Sequence, residues 1–349
     1  MQPEQALAHL ARAFPPPGTS PETQYSLVAL PGDAGFRRYF RFDPQMGWLG
    51  VYAPPGKEDM VRFLQVARLL ADRGLKVPRV QVADVKLGYA LMEDWGDCLY
   101  QDRLSAETAS ALYAAALESL GRLARTDKAP AWLPRYNRKQ LQGELDLFAQ
   151  WFVQGLLNYR MDESEQRLLS ALCRFLVGQA LEQPRVLVHR DFHCRNLMDL
   201  NQDQPGLIDF QDAAWGPVTY DLASLCRDYY VRWSPSRVET VVADFAESLV
   251  QAGRLDASQR QKFPDWFEAM SAQRHIKVLG IFARLNLRDK KMRYLNDLPL
   301  VIRYLMETTA RIPAACEFRD WFASQIIPLA CRQNWYSDWQ TAGDDIEVW

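Results

Sequence analysis

The sequence predicts an α+β protein in which a short strand-rich segment precedes a longer, mostly helical one. Three observations carry this. Short apolar runs separated by Gly- and Pro-containing turns fill the first third. Beyond that, the apolar repeat lengthens to helical spacing. The change falls at Glu93-Asp94-Trp95-Gly96-Asp97, a polar stretch that reads as the boundary between a domain at 1–95 and another at 96–349.

In chain order, residues 4–14 read as a helix stopped by Pro15-Pro16-Pro17-Gly18. Strands follow at Tyr25–Leu30, Arg38–Phe42 and Trp48–Tyr52, the first two joined by Pro31-Gly32-Asp33-Ala34-Gly35. The backbone N–H groups of such a Gly-containing loop can approach phosphates closely, and Arg37 and Arg38 follow at once. Glu58–Arg73 reads as a helix with Val61, Leu64, Ala67 and Leu70–Ala71 on its buried face and Gly74 past its end. Val77–Val85 and Tyr89–Met92 complete the strands. Helices are then predicted at 106–125 behind Ser105, from Asn137 to about Arg160, and after Asp162, which forms a capping box with Glu165. Further helices are predicted at 218–231, 236–253 (Ser236 with Glu239 as a capping box), 263–293, 298–310 and 314–324.

Composition removes several classes of function. The chain has 349 residues, 48% hydrophobic and 24% charged, with a formal net charge of −2. That is a globular composition with no overall bias towards nucleic acid or an anionic membrane. No apolar run approaches the ~20 residues of a membrane span. The opening MQPEQALAHLARAF carries Glu4 and lacks the continuous apolar core of a signal peptide. Cys98, Cys173, Cys194, Cys226, Cys316 and Cys331 form no C-x-x-C pair and no metal-ligand spacing with histidine, so reduced thiols and a cytoplasmic setting are expected.

The chemistry concentrates in Val186–Gly216, VLVHRDFHCRNLMDLNQDQPGLIDFQDAAWG. His189, Asp191 and Asn196 form H-x-D-x-x-x-x-N directly after the apolar run Val186–Val188, and Asp209 ends a second apolar run. The turn at Asn201–Gly206 makes the intervening segment a hairpin, which brings Asn196 and Asp209 together at its base. Two acids and an amide beside short strands suit phosphoryl transfer: one group orients the attacking hydroxyl, and oxygen ligands hold Mg²⁺.

HRDFHCRN with LIDFQDAAWGPVTYDL resembles the aminoglycoside-phosphotransferase/choline-kinase superfamily. The resemblance implies a bilobal protein-kinase-like fold, with a small antiparallel-sheet N-lobe and a larger, mostly helical C-lobe. It makes Asp191 the base or orienting acid, Asn196 and Asp209 the Mg²⁺ ligands, and His189 and Asp221 structural braces of the catalytic loop. Gly32, Asp33, Gly35, Phe36 and Arg37 become the loop covering the phosphates of ATP, and Met92, Glu93 and Asp94 the hinge that meets adenine. One departure stands out: the strand Trp48–Tyr52 lacks the lysine that usually binds phosphate, leaving Arg37, Arg38, Arg41 or Lys57 to supply the charge.

The segment Gln273–Arg293 is basic, with Arg274, Lys277, Arg284 and Arg288 spaced so that they can share a helix face. That suits a neutral or anionic acceptor rather than a polycation. His193, Arg195 and Asp212 are further candidates for contact with acceptor hydroxyls. Within the superfamily, GDAGFRRYFRF, APPGKEDMVRFLQVARLL and HIKVLGIFARL resemble bacterial anomeric sugar kinases. That likeness implies an amino sugar as the small-molecule partner, ATP and Mg²⁺ as cofactors, phosphorylation at C1 in peptidoglycan recycling, and a monomer without nucleic-acid or membrane partners. The residues alone leave open a kinase of another alcohol, or a non-catalytic nucleotide-binding scaffold.

Overall fold

A computed structural model describes residues 2–17, 22, 24–32, 35–43 and 47–346. Asp33 lies outside them. The chain forms two compact units, one of Met1–Arg103 with Asn196–Asp212, the other of Leu104–Arg195 with Ala213–Trp349.

The first unit opens with helix α1 (Pro3–Ala13), then strands β1 (Ser26–Ala29), β2 (Arg38–Asp43) and β3 (Trp48–Tyr52), helix α2 (Met60–Asp72), strands β4 (Val80–Asp84) and β5 (Tyr89–Glu93), and a short helix α3 (Tyr100–Arg103). The strands make one antiparallel sheet in the order β1-β2-β3-β5-β4. Phe40, Phe42 and Leu91 of the sheet form a core with Leu7 and Ala11 of α1. Gly50 lets α1 pack closely there, since a Cβ at that position would come 2.8 Å from Leu7 Cδ1 and displace that side chain. α2 starts on an Asp59 cap that accepts from Arg62 N–H, and Gly74, at φ +73°, follows its end as expected.

The face α2 buries differs from the one read from sequence. Phe63, Val66, Ala67, Leu69 and Leu70 are buried, whereas Val61 is exposed and Leu64 only half-buried. The cause is a distant partner: Phe63 stacks on Phe210, ring centroids 5.1 Å apart.

The second unit begins with α4 (Ala109–Ala124) and α5 (Arg138–Leu147), which runs on as a π-helix at Phe148–Leu156, followed by α6 (Glu163–Glu182) and β6 (Arg185–Val188). Asn137 and Asp162 both form the capping boxes their sequences predict. The chain then returns to the first unit as the hairpin β7 (Leu197–Met198) and β8 (Gly206–Leu207). Leu207 N–H donates to Lys76 carbonyl at 2.8 Å and Asp199 N–H to Cys98 carbonyl at 3.0 Å, which docks the hairpin there.

Back in the second unit come β9 (Ala214–Pro217), paired antiparallel with β6, then α7 (Tyr220–Cys226), α8 (Pro235–Gln251), α9 (Ala257–Asp289) and α10 (Leu298–Ala310). Three expectations change here. The helix predicted at 218–231 spans only 220–226, because Asp228 turns the chain by accepting from Tyr230 N–H at 2.7 Å and Cys194 N–H at 3.0 Å. Ser236 forms no capping box; Pro235 opens α8 instead. The long helix starts at Ala257, ahead of 263, on an Asp256–Gln259 capping box that the sequence reading overlooked. All six cysteines are free. Among the described residues, no helix is long and apolar enough to cross a membrane.

α9 packs tightly on the junction of α5 and the π-helix at Gly280. A Cβ there would lie 2.5 Å from the Leu147 carbonyl carbon and 2.7 Å from Phe148 N, atoms of backbone that cannot swing aside. Gly280→Ala is therefore expected to cost about 1–3 kcal/mol despite alanine's better helix propensity. Thermal denaturation monitored by circular dichroism should show a lowered Tm, and an unchanged or raised Tm would contradict this packing.

Candidate active site

In the second unit, β6 delivers the chain into the turn that carries His189, Arg190 and Asp191. Arg190 sits at φ +80°, a left-handed conformation unfavourable for a side chain of its size. Asp221, at the start of α7, holds it there: its carboxylate accepts from His189 N–H at 2.6 Å and Arg190 N–H at 2.9 Å. The buried His189 ring lies edge-on to Phe192, centroids 5.8 Å apart. Burial pushes the Asp221 carboxyl up to about 6, in spite of both donors and the nearby Arg274.

Asp191 follows, half-buried. Burial opposes its charge, yet Lys277 first, then His193, Arg190 and Arg274, hold its carboxyl below the usual range. Arg274 and Lys277 are only 4% and 7% exposed on α9. Arg274 donates to the Arg190 carbonyl at 3.0 Å. Lys277 donates to the Tyr220 hydroxyl at 2.9 Å and lies 3.2 Å from Glu144. Glu144, on α5, also takes Arg190 at 2.6 Å, Gln273 at 3.2 Å and the Tyr136 hydroxyl. One carboxylate thus gathers Arg190 and Lys277 behind the loop. Nothing in the sequence marked Glu144, which sits mid-helix without a motif.

The four basic candidates do not share one environment. Arg274 and Lys277 serve the Asp191 surroundings, Arg284 is half-buried, and Arg288 is exposed and paired with Asp289 at 2.8 Å. The Arg195 guanidinium lies 3.5 Å from the centre of the Tyr230 ring, and the His193 ring meets Tyr230 edge-on at 5.4 Å. Cys194 is fully buried, and burial with Asp228 beside it pushes the thiol well up, which suits packing rather than nucleophilic chemistry.

In the first unit, Ile208 N–H donates to the Asn196 carbonyl at 3.1 Å and closes the base of the β7–β8 hairpin. Asn196 and Asp209 therefore flank that base, as their spacing predicts. Asp209 is exposed and at φ +60°; Gln211 Nε2 donates to its Oδ1 at 2.8 Å. An amide and a carboxylate are hard oxygen donors that fit Mg²⁺, an ion that completes its shell with phosphate oxygens and water rather than a full protein cage. Consistent with so sparse a donor set, no group of three or more His, Cys, Asp or Glu able to hold a metal occurs among the described residues. Asp212 is exposed beside this turn.

Gly32 and Gly35 lie on the exposed β1–β2 connection. Phe36 N–H donates to Glu58 Oε1 at 3.1 Å, and Arg37 pairs with Glu58 Oε2 at 2.9 Å. The hinge residues differ in one respect from expectation. Glu93 N–H is bonded to the Arg79 carbonyl and Asp94 N–H to the Gly47 carbonyl, each at 2.9 Å, so neither offers a donor to a base. Met92 is buried, opposite Leu49.

An antiparallel sheet unit, a helical unit, an H-x-D loop held by a downstream acid and an Asn/Asp-flanked hairpin together define a phosphotransferase of the protein-kinase-like class. The family model described as APH, the phosphotransferase enzyme family, matches residues 26–257. The chain belongs to that family. It is 40% identical over 299 residues to the N-acetylmuramate/N-acetylglucosamine kinase of Pseudomonas aeruginosa, covering 85% of this chain and 88% of the relative. The enzyme of the same name from Neisseria meningitidis is 37% identical over 296 residues, with 83% and 88% covered. Among solved structures, choline kinase from Cryptosporidium parvum Iowa II aligns with a TM-score of 0.61 at 11% identity, over 92% of this chain and 99% of that one. The ADP-bound aminoglycoside phosphotransferase APH(2'')-Ib aligns with a TM-score of 0.57 at 14% identity, over 86% and 97%. These two likenesses show the fold.

The Asp221 brace carries a pH signature. A carboxyl raised from about 3.8 to about 6 on folding keeps its proton longer in the native state. Between those values the folded protein binds more protons than the unfolded one, so the contribution of this group to stability is full at low pH and is lost as pH rises through about 6. Urea unfolding of wild type and Asp221→Asn across pH 4–8 should show the wild type losing stability relative to the variant through that window and levelling above it. A flat difference would contradict the assignment.

Proposed function

We propose that the chain transfers the γ-phosphoryl group of ATP to the anomeric C1 hydroxyl of N-acetylmuramate and N-acetylglucosamine, as a monomeric cytoplasmic enzyme of peptidoglycan recycling. The observation that carries the acceptor is the 40% identity over 299 residues to a kinase named for these two sugars. The surroundings of Asp191 carry the chemistry.

Asp191 accepts a hydrogen bond from the anomeric hydroxyl and aims its oxygen at the γ-phosphorus. As the new O–P bond forms, the bond from phosphorus to the bridging β–γ oxygen breaks, ADP leaves, and the hydroxyl proton passes to Asp191. A carboxylate held below its usual range by Lys277 is a weak base. It therefore takes the proton late and acts mainly by orientation, which suits a loose phosphoryl-transfer transition state. Asn196 and Asp209 would hold Mg²⁺, which when bound neutralises the phosphate oxygens. Gly32, Asp33, Gly35, Phe36 and Arg37 cover the phosphates, and Met92, Glu93 and Asp94 line the base, Glu93 and Asp94 through atoms other than their N–H groups.

Acceptor contact falls to His193, Arg195, Asp212 and Arg284. Arg274 and Lys277 act first on Asp191 and Arg190, and so serve an anionic acceptor chiefly through the local field. Arg288, exposed and paired with Asp289, is the least suited of the basic set.

Incubation with ATP, Mg²⁺ and each amino sugar should give ADP and the sugar 1-phosphate, identified by phosphorus NMR. Asp191→Asn should lower kcat by about 10²–10⁴-fold while leaving ATP affinity within a few-fold of wild type. Turnover of choline or kanamycin without turnover of either amino sugar would overturn the acceptor. A wild type inert towards all of them would favour a non-catalytic nucleotide-binding role.

A further inference from the structure

Of the four cations that the sequence offers in place of the strand lysine, three are engaged elsewhere. Arg38 is exposed, 3.8 Å from Glu4. Arg41 is bonded to Asp94 at 2.6 Å and to Asp97 at 2.8 Å. Lys57 lies over the exposed Phe36 ring at 4.7 Å. Arg37 differs: it is only 8% exposed, its guanidinium rests over Phe63 at 4.7 Å, and its two terminal nitrogens go in different directions. Nη2 donates to Glu58 Oε2 at 2.9 Å, and Nη1 donates to Gln211 Oε1 at 2.8 Å.

Gln211 is thereby fixed in one orientation. An amide whose oxygen accepts from a guanidinium must turn its NH₂ to the other side. That NH₂ donates to Asp209 Oδ1 at 2.8 Å. Glu58, at the opposite end, uses its second oxygen to accept Phe36 N–H at 3.1 Å. One hydrogen-bonded path thus runs from the Phe36 backbone through Glu58, Arg37 and Gln211 to Asp209, all within one unit.

Asp209 needs such support. Its left-handed backbone, at φ +60°, is a conformation uncommon for a residue with a Cβ and is sustained by its neighbours. Its carboxylate is exposed, so its direction is set by hydrogen bonds rather than packing. We propose that Arg37 and Gln211 are positioning residues that orient the Asp209 carboxylate for a divalent cation, so that the seating of Phe36 and Arg37 on Glu58 sets metal affinity. This rests on Asp209 as a metal ligand in the reading above. By thermodynamic linkage, a nucleotide that strengthens the contacts of Phe36 and Arg37 with Glu58 tightens the metal, and the metal tightens the nucleotide by the same factor.

The test is Mn²⁺ titration of the full-length protein followed by electron paramagnetic resonance, with and without ADP. The variants are Gln211→Met, Arg37→Met, both together, Arg37→Lys and Asp209→Asn. Gln211→Met keeps the size of the side chain but can neither accept from Arg37 nor donate to Asp209. It should weaken Mn²⁺ in the ADP complex by about tenfold, the effect of one hydrogen bond to a charged group, with Tm and metal-free ADP affinity unchanged. Arg37→Lys keeps the charge but not the two-way fork, and should weaken Mn²⁺ in the ADP complex as Gln211→Met does. The double variant should be no weaker than the worse single, as expected of one path. Mn²⁺ affinity within twofold of wild type in Gln211→Met, or additive losses in the double variant, would overturn the proposal. If Asp209→Asn weakens Mn²⁺ and Gln211→Met does not, only the positioning path fails. If Asp209→Asn also leaves Mn²⁺ unaltered, the metal assignment beneath it fails as well.

Discussion

The second unit depends on one carboxylate placed where it is costly to keep. Asp221 is buried, and burial raises its carboxyl to about 6, yet it accepts from two consecutive backbone N–H groups, those of His189 and Arg190. Without it those donors would be orphaned inside the protein, at a cost of ~1–3 kcal/mol each. With it, Arg190 is held at φ +80°, its carbonyl is turned to Arg274, and its side chain reaches Glu144. The position of Asp191 follows from that single turn.

Charge around Asp191 is arranged so that no buried ion lacks a partner. Burial opposes the charge of Lys277, Glu144 offsets it, and the Glu144 carboxylate is in turn surrounded by Arg190, Lys277, Gln273 and the Tyr136 hydroxyl. Removing any one cation would leave a carboxylate under-compensated, which is costlier than the net worth of the pair. The network thus favours the charged form of Asp191, which suits the role proposed for it, receiving a hydroxyl at one angle. It also explains why α9 carries Arg274 and Lys277 at buried positions that would ordinarily be apolar.

Sequence patterning revealed the elements whose causes are local. β3 lies where its alternation places it, and Asn137 and Asp162 cap their helices because an Asx side chain and a Gln or Glu three residues on satisfy each other's backbone donors. The H-x-D-x-x-x-x-N run and Asp209 were legible because their residue types and spacing lie in one short segment, although the side chains that hold those turns do not all share the motif. What was not legible came from partners far along the chain. Phe210 rotates the buried face of α2, Asp228 ends α7 early, and Glu144 and Gln211 carry no motif at all. The basic stretch shows the limit from the other side, since spacing alone could not separate Arg274 and Lys277, which are buried, from Arg288, which pairs with Asp289 in solvent.

The two units solve one problem in the same way. Each bears an acid at or next to a non-glycine residue in left-handed backbone, Arg190 before Asp191 and Asp209 itself. Such a turn projects its side chain away from the strand that delivers it, which regular strand geometry would not allow. It is also unstable alone, so each turn is held by a polar side chain later in the chain. Asp221 grips backbone N–H groups in one case; Gln211 grips the carboxylate in the other. The difference matters. A backbone grip fixes the course of the loop, whereas a side-chain grip fixes the direction of the Asp209 carboxylate itself. The first arrangement suits the role proposed for Asp191, to accept a proton and release it. The second suits the role proposed for Asp209, to present the same oxygens to a cation throughout the cycle.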